Sequence, residues 1–393
     1  MKKFMFFTAT ILIGMCQGIS AQTNEINYSL KGLAQLLVRE KCEVYGFSNG
    51  FAKVYKETNY GLINKQGKLV LPCKYNRIER LNDSLMAIQD DNFKWGYADV
   101  EGNVVIPCQY EKVDYFSEGL ASVYKRDSCA YINRQGEIVI PYFKAYRAGP
   151  FVNGVAAIEK QKRHTYFIDK KGEQTIPLIE VRCYGYSEGF FIVRSKNDSN
   201  YGLMDKDGAI VVPMKYFSMN RYSEGLSAVG EFVSGSPHNK YGYIDTKGNV
   251  VVPLQFELVE SFSEGKAAVR MFNKWGYINK TGQKIIANMF DNAREFKDGL
   301  AAVMMNDKWG FINDNGTIVI QCQYDRVSDF SEGYAVVSSN NQVAMINKQG
   351  DFFVPFGKYS NIENFSEGLS VVNINGRYGF IDKEGISTFD YNE

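Results

Sequence analysis

Histidine is almost absent from this sequence, which has only His164 and His238 among 393 residues. Histidine is the commonest general acid or base and a frequent zinc ligand, and neither copy has a second histidine or a cysteine at metal-ligand spacing. No nucleophile elbow, phosphate-binding loop or zinc-protease motif is present. We therefore predict that the protein is not an enzyme and has no catalytic, metal or cofactor-binding residues. A carboxylate pair assembled from two distant segments is the catalytic alternative that the sequence leaves open.

An excess of charge of either sign is also lacking, because 45 basic residues face 44 acidic ones. That balance gives the chain no general attraction to nucleic acid or to an anionic membrane surface. Long hydrophobic runs are missing too, since none reaches the roughly 20 residues that a membrane-spanning helix needs. We expect neither a nucleic-acid partner nor a transmembrane segment.

The first 21 residues differ in composition from the rest of the chain. Two lysines precede an apolar run of about twelve residues, and Ala21 is a small residue immediately before Gln22. These are the features of a cleavable signal peptide. We expect residues 1–21 to be removed and the protein to be exported, to the periplasm, the cell surface or the medium. A lipid anchor on Cys16 is the alternative, although Met15 fits a lipoprotein signal poorly.

Six of the seven cysteines follow the signal peptide, an even number that would permit disulfides in an exported chain. Cys73, Cys108 and Cys322 occupy the same place after a repeated apolar run, which is typical of a small buried residue. We expect buried free thiols, and Cys73 with Cys108 is the pair most worth testing for a disulfide.

A unit of about 34 residues recurs about ten times between Phe47 and Gly385. Each unit has a pair of residues that is aromatic-glycine in its best copies, then an Asn or Asp, and a glycine three residues after that. The pairs begin at Tyr60, Trp95, Cys129, Thr165, Tyr201, Tyr241, Trp275, Trp309, Val343 and Tyr378. This period overrides the two or three domains that the length suggests and predicts one repeat domain.

Short runs rich in aromatic and β-branched residues predict three strands in each unit. Between the second and third strands, as at Asn279 and Gly282, we expect a tight turn in which the Asx side chain accepts a backbone hydrogen bond and the glycine has positive φ. Calcium binding is the alternative, but half of these Asx residues are asparagine. A second turn has the sequence Phe-Ser-Glu-Gly at Phe262–Gly265. We expect its acidic residue to cap its own turn; a row that meets a basic partner is the alternative.

The glycine of the aromatic-glycine pair, as in Gly96, Gly276 and Gly310, predicts a bulge or the close approach of another backbone segment. One unit cannot bury its own large side chains, so neighbouring units must share a core. We therefore expect the tryptophans to belong to that core rather than to an exposed ladder for sugar rings; they are Trp95, Trp275 and Trp309.

The predicted fold is all-β: a tandem array of about ten three-stranded units forming an open superhelix over residues 42–393. Residues 22–41 are expected to form a linker and a capping helix, since their leucines have helical spacing. A closed propeller-like ring is the alternative, because the chain enters midway through one unit and leaves midway through another, as shared strands would require. The open form is preferred because ten blades would make a wide propeller.

The unit resembles the WG-repeat family of bacterial proteins, also called KWG repeats. The match is specific at Lys94–Tyr97, Lys274–Tyr277 and Lys308–Phe311, and it is degraded in the units of Cys129, Thr165 and Val343. The resemblance implies a repeat fold of β-hairpins. It implies no reaction, cofactor or catalytic residue.

Irregular loops are where a repeat array places specificity. The longest irregularity is residues 230–240, and the degraded units span residues 128–186. We predict a non-catalytic exported scaffold for protein–protein interaction at the cell envelope, with a glycan-binding or cell-wall-binding module as the alternative. The candidate binding residues are Phe232, Ser236, Pro237, His238, Tyr142, Phe143 and Tyr146.

Overall fold

The computed structural model describes residues 28–80, 85–161, 164–232 and 239–391, so the predicted signal peptide lies outside the described residues. In these ranges an α-helix, α1 (Leu30–Glu40), precedes 39 β-strands, and a 3-10 helix (Thr388–Tyr391) follows them. The strands form ten antiparallel sheets in chain order, each of which is one blade of a ring. The predicted all-β repeat fold and its N-terminal helix are confirmed.

The first five blades each contain four strands, numbered in chain order. Blade 1 has β1 (Glu43–Val44), β2 (Phe51–Lys56), β3 (Asn59–Asn64) and β4 (Leu69–Tyr75); blade 2 has β5 (Arg77–Arg80), β6 (Leu85–Gln89), β7 (Trp95–Asp99) and β8 (Val104–Tyr110); blade 3 has β9 (Lys112–Val113), β10 (Ala121–Lys125), β11 (Ser128–Ile132) and β12 (Ile138–Lys144); blade 4 has β13 (Arg147–Val152), β14 (Val155–Gln161), β15 (His164–Asp169) and β16 (Gln174–Ile179); blade 5 has β17 (Val181–Ser187), β18 (Phe190–Ser195), β19 (Tyr201–Met204) and β20 (Ile210–Tyr216).

The other five blades repeat this order, except that blade 10 has three strands. Blade 6 has β21 (Ser218–Met219), β22 (Leu226–Glu231), β23 (Lys240–Asp245) and β24 (Val250–Phe256); blade 7 has β25 (Leu258–Val259), β26 (Lys266–Met271), β27 (Lys274–Asn279) and β28 (Lys284–Phe290); blade 8 has β29 (Asn292–Lys297), β30 (Leu300–Met305), β31 (Lys308–Ile312) and β32 (Ile318–Tyr324); blade 9 has β33 (Arg326–Val327), β34 (Tyr334–Ser339), β35 (Gln342–Asn347) and β36 (Phe352–Val354); blade 10 has β37 (Asn361–Ile362), β38 (Leu369–Ile374) and β39 (Arg377–Asp382).

The prediction of three strands per unit was wrong by one. The segment read as a connector forms a short additional strand at the start of the next blade: β9 begins at Lys112, two residues after β8 ends at Tyr110. Its two residues pair with β10. This first strand has only two residues in six blades, too few to show the alternation of apolar and polar residues from which strands are recognised. In blades 4, 5 and 8 it has six or seven residues.

The predicted Asx–glycine turns are confirmed in all ten blades. Asn279 Oδ1, for example, accepts hydrogen bonds from the backbone N–H groups of Thr281 and Gln283, and Gly282 has a φ of 82°. A β-carbon on Gly282 would lie 3.2 Å from Val252 Cγ1 in the preceding blade. The turn glycine therefore also permits close packing between blades, which the local pattern does not show.

The glycine of the aromatic-glycine pair lies under a bulge of the fourth strand. In blade 7, Trp275 pairs with Phe290 and Tyr277 pairs with Ile286, so two residues of the third strand span four residues of the fourth. The excess residues fold over Gly276, where a β-carbon would lie 2.6 Å from the Ile286 carbonyl oxygen. The predicted bulge and close approach are therefore both present.

Two of the three blades without this glycine have a smaller bulge. In blade 3, where Ala130 replaces the glycine, the corresponding step spans three residues, from Ile140 to Phe143. The same three-residue step occurs in blade 4, where Tyr166 replaces it. The size of the bulge in these blades thus follows the residue at this one position: four residues of the fourth strand over glycine, and three over alanine or tyrosine.

Each residue of the Phe-Ser-Glu-Gly turn contacts a neighbouring blade. Phe296 packs at 5.0 Å, ring centre to ring centre, on Tyr277 of the preceding blade. Ser263 Oγ donates a hydrogen bond to the Phe296 carbonyl oxygen of the following blade. Equivalent serine hydrogen bonds join blades 3 to 4, 6 to 7, 9 to 10 and 10 to 1. The motif is therefore a connector between blades.

The acidic residue of this turn does not cap its own turn, so that prediction was wrong. Its carboxylate accepts a hydrogen bond from the turn glycine N–H of the next blade, at 2.6–3.1 Å, in seven interfaces of the described ranges. These acidic residues have φ of 45–56°, which is unfavourable for a residue with a β-carbon. The donors and acceptors are Gly154 and Glu118, Gly225 and Glu188, Gly265 and Glu224, Gly299 and Glu264, Gly333 and Asp298, Gly368 and Glu332, and Gly50 and Glu367.

Blades 1 and 10 make these same contacts with each other, which closes the ring. Phe47 packs at 5.2 Å on Phe380, and the Glu367 carboxylate accepts a hydrogen bond from Gly50 N at 2.8 Å and pairs with Lys65 at 2.9 Å. The preferred open superhelix was therefore wrong, and the alternative of a closed propeller-like ring is confirmed. The described strands of blades 1 and 10 belong to separate sheets, so side chains and turns close the ring rather than a shared strand.

Helix α1 packs over this closure. Ser29 Oγ caps the helix by accepting a hydrogen bond from Gly32 N, and Leu30, Leu33 and Leu36 are buried in one cluster with residues of blades 1 and 10. A β-carbon on Gly32 would lie 2.2 Å from the backbone of Gln66, so the helix rests directly on a turn of blade 1. The helix thus adds apolar contact at the one interface between the two ends of the repeat.

The carboxylates between blades give a testable pH dependence. Burial raises the pKa of Glu118, Glu224, Glu332 and Glu367, but hydrogen bonds from lysine and backbone N–H groups outweigh it, so each pKa lies below the ordinary value. A carboxyl group with a lowered folded-state pKa contributes its full stability above the unfolded-state value, near pH 4.3, and loses that stability as pH falls through the folded-state value.

We therefore expect the thermal unfolding midpoint to fall by several degrees between about pH 6 and pH 3. Glu332→Gln, which removes one of these carboxylates, should lower the midpoint at pH 6 and flatten the dependence on pH. A midpoint that stays constant over this range would contradict the assignment. Circular dichroism melts of both proteins at each pH provide the measurement.

Candidate functional site

The described connections between the second and third strands lie on one face of the ring, because successive blades repeat the same strand order. This face is here called the hairpin rim. Phe272 lies at a two-residue turn of this rim in blade 7, with φ of 53° and 83% of its surface exposed. Asn306 and Asn340 occupy the same place in blades 8 and 9, with φ of 52° and 51°. Asparagine tolerates positive φ far better than an aromatic residue does, so Phe272 has no evident structural reason to be there.

Two other phenylalanines share the hairpin rim. Phe232 follows the second strand of blade 6 and is 72% exposed, with its ring 4.4 Å from Phe217. Phe93 in blade 2 is 70% exposed and also has positive φ, at 57°. Phe232 and Phe272 belong to adjacent blades, so two largely exposed aromatic rings follow one another along the rim.

The other predicted binding residues are distributed between blades. Tyr142 and Tyr146 are exposed near the junction of blades 3 and 4, whereas Phe143 is half-buried and stacks at 6.4 Å on buried Tyr131. Ser236, Pro237 and His238 lie outside the described residues. Lys144 pairs with Ser128, directly after the hairpin of blade 3, so the segment of Tyr142 and Tyr146 ends on the same face of the ring as Phe232. Phe272 is also on this face and was not identified from the sequence. The signal for Phe272 was its place in a repeat position that is asparagine in the next two units.

The tryptophans lie within or beside the blade interfaces. Trp275 is buried, and Trp95 and Trp309 are half-buried against core clusters. The guanidinium of Arg294 stacks 4.6 Å from the centre of the Trp309 ring. The glycines that follow the tryptophans are the bulge sites described above, and Gly265 donates to Glu224 of the preceding blade.

All six cysteines after residue 28 are free thiols in the structure, including Cys73 and Cys108. Cys42 and Cys129 are buried, and burial raises the pKa of the Cys42 thiol to about 11 and that of Cys129 to about 12. Neither thiol would ionise near neutral pH, and the thiolate is the reactive form.

A cavity of about 320 Å³ lies where blades 3, 4, 5 and 6 meet. Its lining includes Asp114 and Tyr115 of blade 3 and Arg221 of blade 6, which are not adjacent blades. Residues three blades apart in a ring can share a cavity only close to the ring axis. This cavity adjoins the degraded units that the sequence analysis had singled out.

Burial is the main influence on the pKa values of Asp114 and Cys183, which line this cavity. It raises the pKa of the Asp114 carboxyl, against the opposing effects of the Tyr115 backbone N–H, Lys112 and Arg147. Burial also raises the pKa of the Cys183 thiol to about 11. In residues 28–80, 85–161, 164–232 and 239–391, no group of three His, Cys, Asp or Glu side chains is placed to hold a metal ion. Nor does this part of the chain contain a helix long and apolar enough to span a membrane.

Several solved structures resemble the ring at low sequence identity. A eukaryotic initiation factor matches 86% of this chain and 95% of its own length, with a TM-score of 0.49 and 12% identity. BamB from Moraxella catarrhalis matches 68% of this chain and 95% of its own, with a TM-score of 0.35 and 12% identity. PorZ, described as a surface component of the type-IX secretion system of Porphyromonas gingivalis, matches 86% of this chain and 59% of its own, with a TM-score of 0.27 and 11% identity.

No curated protein matches the sequence. The sequence model of the family described as WG containing repeat matches eight stretches that together cover more than half of the chain: residues 60–92, 95–128, 130–163, 201–230, 241–275, 275–309, 309–342 and 345–378. All eight stretches begin at, or within two residues of, an aromatic-glycine position or its degraded equivalent. The unmatched residues 164–200 span the end of blade 4 and the start of blade 5, and they include Cys183 and Tyr184 of the axial cavity. The chain therefore belongs to the WG-repeat family.

Proposed function

We propose that this protein is an exported, non-catalytic scaffold that binds a protein partner at the cell envelope through its hairpin rim. The observation that carries the proposal is Phe272, which combines positive φ with 83% exposure. An aromatic residue in this conformation lowers the stability of the free protein, and an exposed ring gains nothing from burial. Burial against a partner would recover both losses, as exposed aromatic anchors do at protein interfaces.

The rest of the motif residues support a scaffold role. The turn residues, the paired aromatics and the bulge glycines are engaged between or within blades, as described above, so they maintain the ring. The residues that do not repeat are left for recognition: Phe232 and Phe272 on the rim, and Tyr142 and Tyr146 near the junction of blades 3 and 4. Export is supported by the two lysines, the short apolar run and Ala21 at the start of the sequence.

The glycan-binding alternative has less support. Sugar rings stack on the exposed faces of aromatic side chains, but Trp275 is 7% exposed and Trp309 already has Arg294 on one face. The three most exposed aromatic side chains of the described residues, Phe93, Phe232 and Phe272, are phenylalanines, which lack the polar groups that sugar hydroxyls bind.

The test replaces Phe272 by the residue of the neighbouring blades. Phe272→Asn is expected to raise the free energy of unfolding by about 0.5–1 kcal/mol, because asparagine accepts positive φ more readily. Combined with Phe232→Ser, it should abolish the capture of partners from an envelope extract, quantified by mass spectrometry against the wild type. A residue that served only the fold would give the opposite result, with lower stability and unchanged capture.

Asn306→Ser in blade 8 is the matched control, since it changes the same turn position without touching a phenylalanine. It should retain every partner that the wild type captures. If the Phe232→Ser, Phe272→Asn protein captures the same set as this control, the hairpin rim is not the binding surface.

A further inference from the structure

Two exposed arginine side chains line the axial cavity of blades 3 to 6, Arg147 of blade 4 and Arg221 of blade 6. Within the described ranges neither makes a hydrogen bond or an ion pair with another side chain, although the carboxylates of Asp114 and Glu159 line the same cavity. Beside the cavity, Arg182 has a buried Nε without a hydrogen bond, 3.7 Å from the nearest carboxylate oxygen of Glu159. The guanidinium N–H groups of Arg147 and Arg221 are open to solvent, so they are accessible to an anionic ligand.

The sequence concentrates basic residues on this side of the axis. In blades 2 to 5, the residue four positions before the phenylalanine of the Phe-Ser-Glu-Gly turn, or before its equivalent, is basic. In blades 6 to 8 this residue is not basic. The basic residues are Arg77, Lys112, Arg147 and Arg182, and the next three are Ser218, Leu258 and Asn292.

Carboxylates are frequent on the opposite side of the axis, where Arg294 and Arg326 are also present. Blades 7 to 10 place a carboxylate one or two residues before the turn aromatic, in the segment that lines the cavity in blades 3 to 6; these residues are Glu260, Glu295, Asp329 and Glu363. Burial raises the pKa of Glu260, and the nearby charge of Glu295 adds to that effect. Asp114 has the same place in blade 3, so it is the run of basic residues in blades 2 to 5, rather than a lack of carboxylates, that would attract an anion to the cavity.

The walls of the cavity suit an organic anion rather than a bare ion. Tyr115 and Tyr184 line it with their rings, and the Tyr184 ring lies 5.2 Å from the guanidinium carbon of Arg182. Asp114 places a carboxyl group in the same space, where it can accept a hydrogen bond from an N–H donor. A ligand that presents a carboxylate and N–H groups together would match both polar features, and a peptide has both.

We propose that the axial cavity binds a carboxylate of a peptide segment. Arg147 and Arg221 donate hydrogen bonds to the carboxylate oxygens, and Asp114 accepts a hydrogen bond from a backbone N–H of the same segment. Guanidinium groups bind carboxylates through paired, charge-assisted hydrogen bonds, which gives them preference over a lysine. The volume of about 320 Å³ admits one or two residues of such a segment, so the rest would extend along the axis. This site uses other residues than the hairpin rim, and either can fail without the other.

The test measures fluorescence anisotropy of two labelled peptides with the full mature chain at low salt. One peptide is six glutamates with an amidated C-terminus, and the other is six glutamines with a free C-terminal carboxylate. We expect at least one of them to bind the wild type, and Arg147→Gln with Arg221→Gln to weaken that binding by tenfold or more. The first peptide reports side-chain carboxylates and the second a terminal one, so the pair identifies the source.

The matched control is Arg326→Gln, which removes an exposed arginine from the position equivalent to Arg147 in blade 9, on the opposite side of the axis. It should leave the affinity unchanged. The proposal is overturned if neither peptide binds the wild type, if the double variant binds as well as the wild type while its thermal melt is unchanged, or if Arg326→Gln causes an equal loss. A double variant that no longer folds would be replaced by Arg147→Lys with Arg221→Lys, which retains charge but loses the paired geometry, and the same tenfold criterion applies.

Discussion

Gly310→Ala is expected to lower the free energy of unfolding by about 2–3 kcal/mol. A β-carbon at this position would lie 2.4 Å from the Ile320 carbonyl oxygen and 2.6 Å from Cys322 N. Both atoms are backbone, so no flexible side chain can move aside, and the bulge of β32 must shift away from β31. Urea unfolding followed by circular dichroism measures the change, provided that the transition remains a single step.

Blade 3 supplies the control for this prediction. It already has Ala130 at the same position, with a bulge that is one residue shorter. Ala130→Gly should therefore cost the added backbone entropy of glycine and the loss of one buried methyl group, about 1–2 kcal/mol together. Equal effects of the two substitutions would show that the bulge does not select glycine, and the account of this motif would be wrong.

The local structure of the blades was predictable because its causes are local. An Asx residue followed three residues later by glycine specifies its turn through its own hydrogen bonds and φ, as at Asn279 and Gly282. A short aromatic and β-branched run specifies a strand by the alternation of its side chains. Helix α1 was recognisable for the same reason, because its leucines repeat at helical spacing.

The closure of the ring was not predictable, because it depends on the small rotation between successive blades. That rotation arises from packing such as Phe296 on Tyr277, and its sum over ten blades decides between a ring and a superhelix. The acidic turn residues were misassigned for a related reason. Sequence spacing shows that Glu264 and Gly265 are neighbours, but the glycine that Glu264 binds is Gly299, one unit further along.

The candidate sites were only partly predictable. The irregular segments did mark blades 3 to 6, where the axial cavity lies, and the long loop that begins at Phe232. Phe272 and Arg221 were missed because each occurs in a unit that otherwise fits the repeat well. Both are recognised when the residue at one repeat position is compared from unit to unit. Phe272 occupies the position that is Asn306 and Asn340 in the next two units, and Arg221 immediately precedes the turn aromatic Tyr222.

Phe47→Ala is expected to lower the free energy of unfolding by about 3–5 kcal/mol, although Phe47 lies in the first blade. A terminal blade of an open array would expose this ring, and its removal would then cost little. In the closed ring Phe47 is 1% exposed and packs on Phe380 of blade 10, in one cluster with α1. Loss of the ring should also increase hydrogen exchange in blades 1 and 10, which border the weakened interface.

Phe296→Ala tests the same contact inside the array. Phe296 is fully buried and packs on Tyr277 at 5.0 Å, against 5.2 Å for Phe47 and Phe380. In a ring every interface between blades is equivalent, so the two substitutions should destabilise the protein to a similar extent. An effect of Phe47→Ala below about 1 kcal/mol, beside a full effect of Phe296→Ala, would mean that blades 1 and 10 separate in solution and that the ring is open.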